Sequence, residues 1–220
     1  MRTLASYIDH TQLKAFCTES DIVKLCAEAR QYQFAAVCIP PCYVGTAKEQ
    51  LKESGVKVCS VAGFPLGYIP TSVKMAECSY LLENGADEVD VVVNVSWIKS
   101  GKWSEVREEI IALHQLIAQK KAVFKLIFET AYLSDEEILQ LTELCLECGV
   151  DYLKTSTGFA PKGAELDTVV AIKNKIGEQA KIKASGGISD LASALAFIKA
   201  GADRIGTSSG VKLVTESILN

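Results

Sequence analysis

Three ionisable side chains stand at positions in apolar segments where their charges would be costly to bury. Asp90 lies among valines in the run Glu88–Asn94, and Lys154 and Lys183 open the phrases KTSTGF and KASGGI. A buried charge must be paired, hydrogen-bonded or neutralised. A structural ion pair would account for Asp90, and either lysine alone could extend to solvent. The three together favour a reaction centre.

The two lysines have the chemistry of a nucleophile and its partner. If Lys154 and Lys183 end adjacent strands, their amines come close together, since such strands lie about 4.8 Å apart. Charge repulsion and burial then favour the neutral form of at least one amine. A neutral amine attacks a carbonyl group, so we expect Schiff-base chemistry with Asp90 nearby.

Two glycine-rich turns follow the last two predicted strands and are suited to an anion. They are GGISD at 186–190 and GTSSG at 206–210, and a helical pattern follows each. Glycines allow close backbone approach, and amides at a helix N-terminus favour a phosphate. Either turn alone is a weak signal, because Ser189 and Asp190 could simply cap a helix. Together they predict a phosphate site.

A recurring phrase, a glycine followed by β-branched and apolar residues, gives the elements that would position these groups. It occurs at Gly55, Gly85, Gly149 and Gly201 and is typical of a helix end followed by a buried strand. The predicted strands are Ala5–Asp9, Ala35–Ile39, Val58–Val61, Glu88–Asn94, Ala122–Phe128, Asp151–Lys154, Ala180–Ala184 and Asp203–Gly206. Eight apolar strands separated by helices predict an α/β chain, a single (β/α)8 TIM barrel domain over residues 1–220. An open doubly wound sheet is the alternative, but G-x-G-x-x-G is absent after the first strand.

Composition narrows the possible partners and compartment. The 220 residues carry a net charge of −4 with no predicted basic face, which argues against nucleic acid and anionic membranes. No signal peptide or membrane-spanning run is recognisable, so we expect a cytoplasmic protein with reduced cysteines. The C-x-x-C at Cys145 and Cys148 lacks a second ligand pair, and the chain has two histidines, so no metal is expected.

The motifs resemble those of the deoxyribose-phosphate aldolase family. The matching phrases, in order, are IDHT-Q-LK, VCIPPCYV, VAGFPLG, NGADEVDVVVN, KTSTGF, KASGGI and RIGTSSG, spanning Ile8 to Gly210. The resemblance implies a class I aldolase that reversibly cleaves 2-deoxy-D-ribose 5-phosphate into acetaldehyde and D-glyceraldehyde 3-phosphate, without a metal or cofactor. It also implies a homo-oligomer, a dimer or tetramer.

The resemblance assigns roles by matching motif. Lys154 would form the Schiff base, Lys183 would perturb it and take part in proton transfer, and Asp90 would relay protons. The residues that would contact the substrate or its phosphate are Asp9, Cys38, Lys125, Thr155, Gly158, Gly186, Gly187, Gly206, Ser208 and Ser209.

This chain departs from the family pattern at three places outside the proposed triad. Ser96 and Trp97 stand near a position where the family often has a Gly-Ala pair, and Phe159 stands where some members have Lys. The sequence ends in SILN, whereas some members end in a Tyr-bearing tail. The open alternatives are another Schiff-base aldolase or phosphosugar isomerase on the same barrel, and a non-catalytic phosphosugar-binding protein.

Overall fold

The strands of this chain close into a parallel barrel. The computed structural model describes residues 3–219, and within them eight strands pair in chain order, with the last strand returning to the first. The strands are β1 (Ile8–Thr11), β2 (Ala36–Ile39), β3 (Lys57–Ala62), β4 (Glu88–Val92), β5 (Val123–Ile127), β6 (Tyr152–Lys154), β7 (Lys181–Ser185) and β8 (Arg204–Thr207). The predicted (β/α)8 fold is confirmed.

Helices connect the strands and cover the outside of the barrel. They are α1 (Glu19–Tyr32), α2 (Val44–Gln50), α3 (Thr71–Glu83), α4 (Val95–Lys99), α5 (Trp103–Gln119), α6 (Asp135–Cys148), α7 (Leu166–Ile176), α8 (Leu191–Lys199) and α9 (Gly210–Leu219). Short 3-10 helices occur at Leu4–Tyr7, Pro41–Tyr43 and Thr130–Tyr132. In residues 3–219 no helix combines the length and the apolar character needed to cross a membrane.

Two predicted strands have boundaries that are wrong by more than one residue. The first strand was expected over Ala5–Asp9, but Leu4–Tyr7 forms a 3-10 helix and the strand begins at Ile8. The fourth was expected to reach Asn94, but it ends at Val92. Asn94 instead caps α4, its side-chain oxygen accepting the Trp97 N–H at 3.2 Å. A local side-chain hydrogen bond therefore ends this strand early.

The glycines that were predicted to end helices have the expected backbone conformation. Gly149 ends α6 in the left-handed region with φ 75°, and the chain then enters β6. The other end of α6 begins at a capping box, in which Ser134 accepts the Glu137 N–H and the Glu137 side chain accepts the Ser134 N–H. These local signals fix both ends of the helix without any tertiary contact.

Side-chain alternation separates an apolar layer from a charged one. Val37, Ile39, Val89 and Val91 belong to the large apolar cluster formed with the helices. The intervening positions point into the barrel, where the apolar cluster is small and consists of Ala36, Cys38, Cys59 and Val61. Much of the remaining interior is charged, which is unusual for a barrel core and directs attention to the side chains there.

Candidate active site

The strand register brings the predicted reactive residues side by side. Asp90 of β4 is opposite Lys125 of β5, and Lys154 of β6 is opposite Lys183 of β7. All four are almost fully buried, the most accessible being Lys154 at 3%. Because the barrel is closed, strands that are distant along the chain direct these side chains to one region of the interior.

Asp90 lies at the centre of this region. Its Oδ2 accepts from the Nζ of Lys154 at 2.8 Å and of Lys183 at 2.7 Å, and its Oδ1 accepts from Lys125 Nζ at 2.9 Å. Burial raises the pKa of the Asp90 carboxyl, but the three ammonium groups lower it by more, so it lies well below its ordinary value. Asp90 is therefore an ionised carboxylate shared among three cations.

A second ring of charges surrounds the first. Arg204 of β8 donates to Asp9 of β1 at 2.5 Å and to Glu88 of β4 at 2.8 Å. Lys183 Nζ lies 2.5 Å from Asp9 Oδ2, and Lys125 Nζ lies 2.5 Å from Glu88 Oε2. Burial raises the pKa of Asp9, but Arg204 and Lys183 lower it by more, to well below its ordinary value. The ring thus joins strands at opposite ends of the chain.

The signs of these charges do not balance. Within residues 3–219 the connected cluster holds four cations, namely Lys125, Lys154, Lys183 and Arg204, and three carboxylates, namely Asp9, Glu88 and Asp90. With every group ionised, the buried cluster carries one surplus positive charge. An unneutralised charge in a poorly hydrated interior is strongly unfavourable, so the surplus favours release of one proton.

The two lysines differ in their carboxylate partners. Lys183 contacts two carboxylates, Asp9 and Asp90, whereas Lys154 contacts Asp90 alone among the described carboxylates. Burial lowers the pKa of Lys183, but its two carboxylates raise it by more, to well above its ordinary value. Repulsion between the amines was expected to decide their ionisation. The carboxylates outweigh that repulsion at Lys183, which stays an ammonium.

A cavity of about 420 Å³ opens above the cluster at the C-terminal ends of the strands. Lys154 and Lys183 form part of its floor. The other predicted site residues along its wall are Gly158, Gly186, Gly187, Gly206 and Ser208. Residues that the sequence did not single out also line it, including Gln12, Lys14, Thr157, Ser185 and Ser189.

Five predicted substrate contacts lie outside that wall. Asp9, Cys38 and Lys125 are fully buried below the floor, where Asp9 and Lys125 hold the charged cluster together. Thr155 is also fully buried, and its hydroxyl donates to the Ser185 carbonyl and accepts the Ser185 N–H, both at 3.1 Å. The fifth, Ser209, donates its N–H to Thr207 Oγ1 at 3.0 Å and precedes α9.

The glycine-rich loops have the close backbone packing predicted for an anion site. Gly186 and Gly187 have φ values of 91° and 79°, which ordinary side chains rarely adopt. A Cβ on Gly186 would lie 2.9 Å from the Gly163 Cα, and a Cβ on Gly206 would lie 2.8 Å from the Ser185 Cβ. Helix α9 starts directly after the second loop, so its N-terminal amides face this side of the cavity.

Asp190 caps a helix, which is the alternative role that the sequence left open for it. Its side chain accepts the Ser193 N–H at 2.8 Å and caps α8. Ser189, the residue before it, lines the cavity. The cap fixes the direction in which α8 leaves the loop, and this leaves the preceding backbone free to surround a ligand.

Glu129 is a buried residue at the site that sequence reasoning missed. It follows β5 with a φ of 54°, a strained conformation for a residue with a side chain. Its carboxyl group accepts from the Thr157 hydroxyl and, at 3.3 Å, from the Thr157 N–H. Burial raises the pKa of Glu129. Glu129 thereby fixes the loop that follows Lys154.

Sequence parity could have located the second charge ring. Glu88 is two residues before Asp90, and Arg204 is two residues before Gly206, so each shares an inward face with a residue that was singled out. Thr157 and Ser185 lie within the KTSTGF and KASGGI phrases themselves. Gln12 and Lys14 likewise lie within the IDHT-Q-LK phrase, but they follow the end of β1, so parity does not predict where their side chains point.

A charged lysine cluster below a cavity that glycine-rich loops border, at the C-terminal end of an eight-stranded parallel barrel, is typical of enzymes that act on phosphorylated carbonyl compounds. The chain belongs to the DeoC/LacD family of aldolases, whose family model matches residues 3–215. The resemblance read from its motifs is confirmed.

Individual relatives cover nearly the whole chain. A deoxyribose-phosphate aldolase of Carboxydothermus hydrogenoformans is 48% identical over 213 residues, which are 96% of this chain and 93% of that protein. The solved structure of an aldolase designated QR15 has a TM-score of 0.94 and 43% identity, covering 100% of this chain and 97% of that one. A tetrameric deoxyribose phosphate aldolase from Aeropyrum pernix has a TM-score of 0.90 and 37% identity, covering 98% of this chain and 91% of that one.

Proposed function

We propose that this aldolase reversibly cleaves 2-deoxy-D-ribose 5-phosphate to acetaldehyde and D-glyceraldehyde 3-phosphate through a Schiff base on Lys154. One observation carries the choice of nucleophile. Lys154 borders the cavity and has a single carboxylate partner, within a cluster that has one positive charge too many. Its neutral amine is the form that attacks an aldehyde.

The proposed reaction begins at C1 of the open-chain sugar. The Lys154 amine adds to the aldehyde carbon, and loss of water gives a protonated imine. Removal of the C3 hydroxyl proton then breaks the C2–C3 bond, releases D-glyceraldehyde 3-phosphate and leaves an enamine on Lys154. The imine nitrogen accepts the electron pair of the broken bond, so no unstabilised carbanion forms. Protonation of the enamine carbon and hydrolysis release acetaldehyde.

Lys183 and Asp90 supply the proton transfers in this scheme. Both lie against Lys154, and Asp90 Oδ2 accepts hydrogen bonds from both lysines at once. When Lys154 becomes part of an imine, Asp90 remains bound to the Lys183 ammonium. The carboxylate can then pass a proton between Lys183 and the substrate, directly or through water.

The phosphate binds at the loops after β7 and β8 in our proposal. Gly186, Gly187 and Ser208 border the cavity on the side of the α9 N-terminus. This location suits an anion because backbone N–H groups and the helix dipole both favour negative charge. It also separates phosphate binding from the amine that reacts.

Trapping the intermediate tests the assignment. The protein is incubated with acetaldehyde and borohydride, and the reduced adduct is located by peptide mapping. We expect the adduct on Lys154. The matched control is Lys181→Leu, which removes an exposed lysine at the opposite end of β7 and should still be labelled. An adduct on Lys183 or on another residue contradicts the assignment.

A direct cleavage assay separates this function from the alternatives. Release of D-glyceraldehyde 3-phosphate from 2-deoxy-D-ribose 5-phosphate is followed with and without a chelator. Unchanged cleavage in the chelator is the expected result for Schiff-base chemistry. Binding of the sugar phosphate without turnover indicates a binding protein, and conversion to an isomer without cleavage indicates an isomerase.

We infer that the protein works in the cytoplasm as a homo-oligomer. The relative from Aeropyrum pernix is described as tetrameric, and all eight cysteines of this chain are free thiols, as expected in a reducing compartment. Light scattering coupled to size-exclusion chromatography tests the assembly. A dimer or tetramer mass supports the inference, and a mass near 24 kDa contradicts it.

A further inference from the structure

Two cysteines face each other inside the barrel, directly beside Asp90. Cys38 of β2 and Cys59 of β3 occupy paired positions in the ladder, and both are fully buried. Their sulfur atoms and a carboxylate oxygen of Asp90 all lie within 4.8 Å of one another. Paired residues on neighbouring strands are about 4.8 Å apart at the backbone, a separation that a disulfide can bridge.

The surroundings of Cys38 favour its ionised form. A hydrogen bond from Cys59 lowers the pKa of the Cys38 thiol, burial raises it, and Lys183 lowers it, with a net value of about 7. The titratable groups facing it are Cys59 of β3, Asp90 of β4, Lys154 of β6 and Lys183 of β7. The Lys183 ammonium beside it stabilises this thiolate.

Other buried cysteines in the described chain lack such an environment. Burial raises the pKa of Cys26 to about 11 and that of Cys78 to about 12. Cys145 and Cys148 lie on the same helix, and burial raises the pKa of each. The barrel pair is thus distinguished by both its geometry and its neighbours.

We propose that Cys38 and Cys59 form an oxidation-sensitive dithiol, which hydrogen peroxide converts reversibly into an intrachain disulfide beside the reactive lysines. The cavity reaches the floor formed by Lys154 and Lys183, and a peroxide molecule would have to pass this floor to reach the buried sulfur atoms. This inference concerns the regulation of the proposed aldolase site. Formation of the disulfide does not depend on that proposed function, but the effect on activity rests on it.

The oxidation proceeds in two balanced steps. The Cys38 thiolate attacks one peroxide oxygen, which breaks the O–O bond and yields a sulfenic acid and hydroxide. Cys59 then attacks the sulfenic sulfur, the S–S bond forms, and the hydroxyl group leaves with the Cys59 proton as water. Two thiols and one peroxide thus give one disulfide and two waters. A thiol reductant reverses the change by exchange.

The disulfide would remove a contact to Asp90. While Cys38 is protonated, the Cys59 thiol donates its one proton to Asp90 Oδ1 at 3.0 Å, and Lys125 Nζ lies 3.4 Å from the Cys59 sulfur. A disulfide sulfur has no proton to donate. Because oxidation removes this hydrogen bond to the charged Asp90, we expect cleavage activity to fall on the order of tenfold.

A metal ion is the competing occupant of the same three ligands. Two thiols and a carboxylate form a ligand set for a soft divalent cation. However, Asp90 already contacts three lysine Nζ atoms, and the positive charge around it would repel an added metal cation. The positive field that stabilises a thiolate therefore favours oxidation over metal capture.

Peptide mapping of peroxide-treated protein tests the proposal in a Cys42→Ser background. Cys42 must be removed because it shares a tryptic peptide with Cys38 and lies close enough to Cys17 to affect its pKa. The expected product is a reducible link between peptides 31–48 and 58–74, with the intact mass lowered by about 2 Da for the two hydrogens lost. Linking should be about tenfold faster at pH 8 than at pH 6, since only the thiolate reacts.

Cys38→Ser is the matched control, because it removes the thiolate that peroxide attacks and leaves the Cys59 thiol to donate to Asp90. Each protein is compared with its own untreated sample. The parent should lose activity on the order of tenfold and regain it with dithiothreitol, while Cys38→Ser retains its own starting activity. Absence of the linked peptide overturns the proposal, as does an equal loss of activity in Cys38→Ser. A parent protein that is linked but keeps full activity overturns the regulatory effect alone.

Discussion

The buried Lys74, outside the barrel, and the buried lysines inside the barrel differ in what surrounds them. Lys74 of α3 is fully buried and donates to Glu109 of α5 at 2.7 Å and to the Val92 carbonyl at 2.8 Å. Glu109 also accepts from the Thr71 hydroxyl at 3.0 Å. This pair has one cation for one carboxylate, and it joins two helices outside the barrel.

The barrel cluster differs from that pair in charge balance and in access. Its cations outnumber its carboxylates by one among the residues described, and Lys154 and Lys183 border a cavity. The Lys74–Glu109 pair is locally neutral and fully enclosed. The comparison shows that a buried ion pair alone does not indicate a reaction centre. A surplus charge beside an opening does.

Removing the proposed nucleophile should have the largest effect. Lys154→Leu is expected to lower cleavage of 2-deoxy-D-ribose 5-phosphate by at least about 10³-fold, because no covalent intermediate can form. Its affinity for inorganic phosphate, measured by calorimetry, should stay within about one order of magnitude, since other loops hold the anion. Substantial remaining turnover in this variant would contradict the covalent mechanism.

Breaking the balanced pair should affect stability instead. Lys74→Met leaves the Glu109 carboxylate buried without its cation and should cost about 3–5 kcal/mol of unfolding free energy. The double variant Lys74→Met, Glu109→Leu should recover most of that loss. Urea unfolding measures all three proteins. If the double variant is no more stable than Lys74→Met, the lost stability does not come from an uncompensated charge.

Raising the pH should change the stability contributed by Lys183 and the stability contributed by Lys74 in opposite directions. The pKa of Lys183 is raised, so its stabilisation is complete below about pH 10.4 and is lost as pH rises towards its folded value. Burial lowers the pKa of Lys74, despite the opposing effect of Glu109, so the unfolded chain binds more protons just below pH 10.4. Stability attributable to Lys74 therefore rises with pH in that window, by at most about 1.4 kcal/mol per unit.

The measurement compares unfolding free energies of the parent with Lys183→Met and Lys74→Met between about pH 9 and pH 11.5. Taking differences cancels the contributions of other titrating groups. The parent's advantage over Lys183→Met should shrink with pH, and its difference from Lys74→Met should grow in the parent's favour. Slopes of the same sign would mean that the two lysines do not differ as described.

The smallest expected effect concerns the phosphate loop. Ser208→Ala removes a hydroxyl at the cavity wall and should raise KM for the phosphorylated sugar about threefold to tenfold, with little change in kcat. Thr215→Val is the control, because the Thr215 hydroxyl bonds to the Val211 carbonyl within α9. An equal rise in KM for unphosphorylated deoxyribose would show that Ser208 does not contact the phosphate.

Sequence patterns predicted the barrel and the three central residues because both depend on local features. Strand alternation placed Asp90 on the inward face, and the glycine phrases marked where strands begin. The charge ring that includes Arg204 was not predicted. Arg204 and its partner Asp9 are 195 residues apart, and only closure of β8 onto β1 brings them together.

The direction of the Lys183 pKa shift has the same origin. From the sequence, Lys154 and Asp90 were expected near Lys183, but its contact with Asp9 was not, and in the structure the two carboxylates together outweigh the repulsion. Six predicted strands differ from the observed ones by one residue at one or both ends, but the first failed because Leu4–Tyr7 forms a 3-10 helix. Local sequence propensity does not determine at which residue a segment that precedes the first strand ends.

The interlocked ring of Arg204, Glu88, Lys125 and Asp9 also closes the barrel axis beneath the reactive amines. A sugar phosphate seated in the mouth would then stand between those amines and bulk water. Solvent deuterium would consequently reach the enamine through that same mouth, after D-glyceraldehyde 3-phosphate has left, and would enter the methyl group of the acetaldehyde.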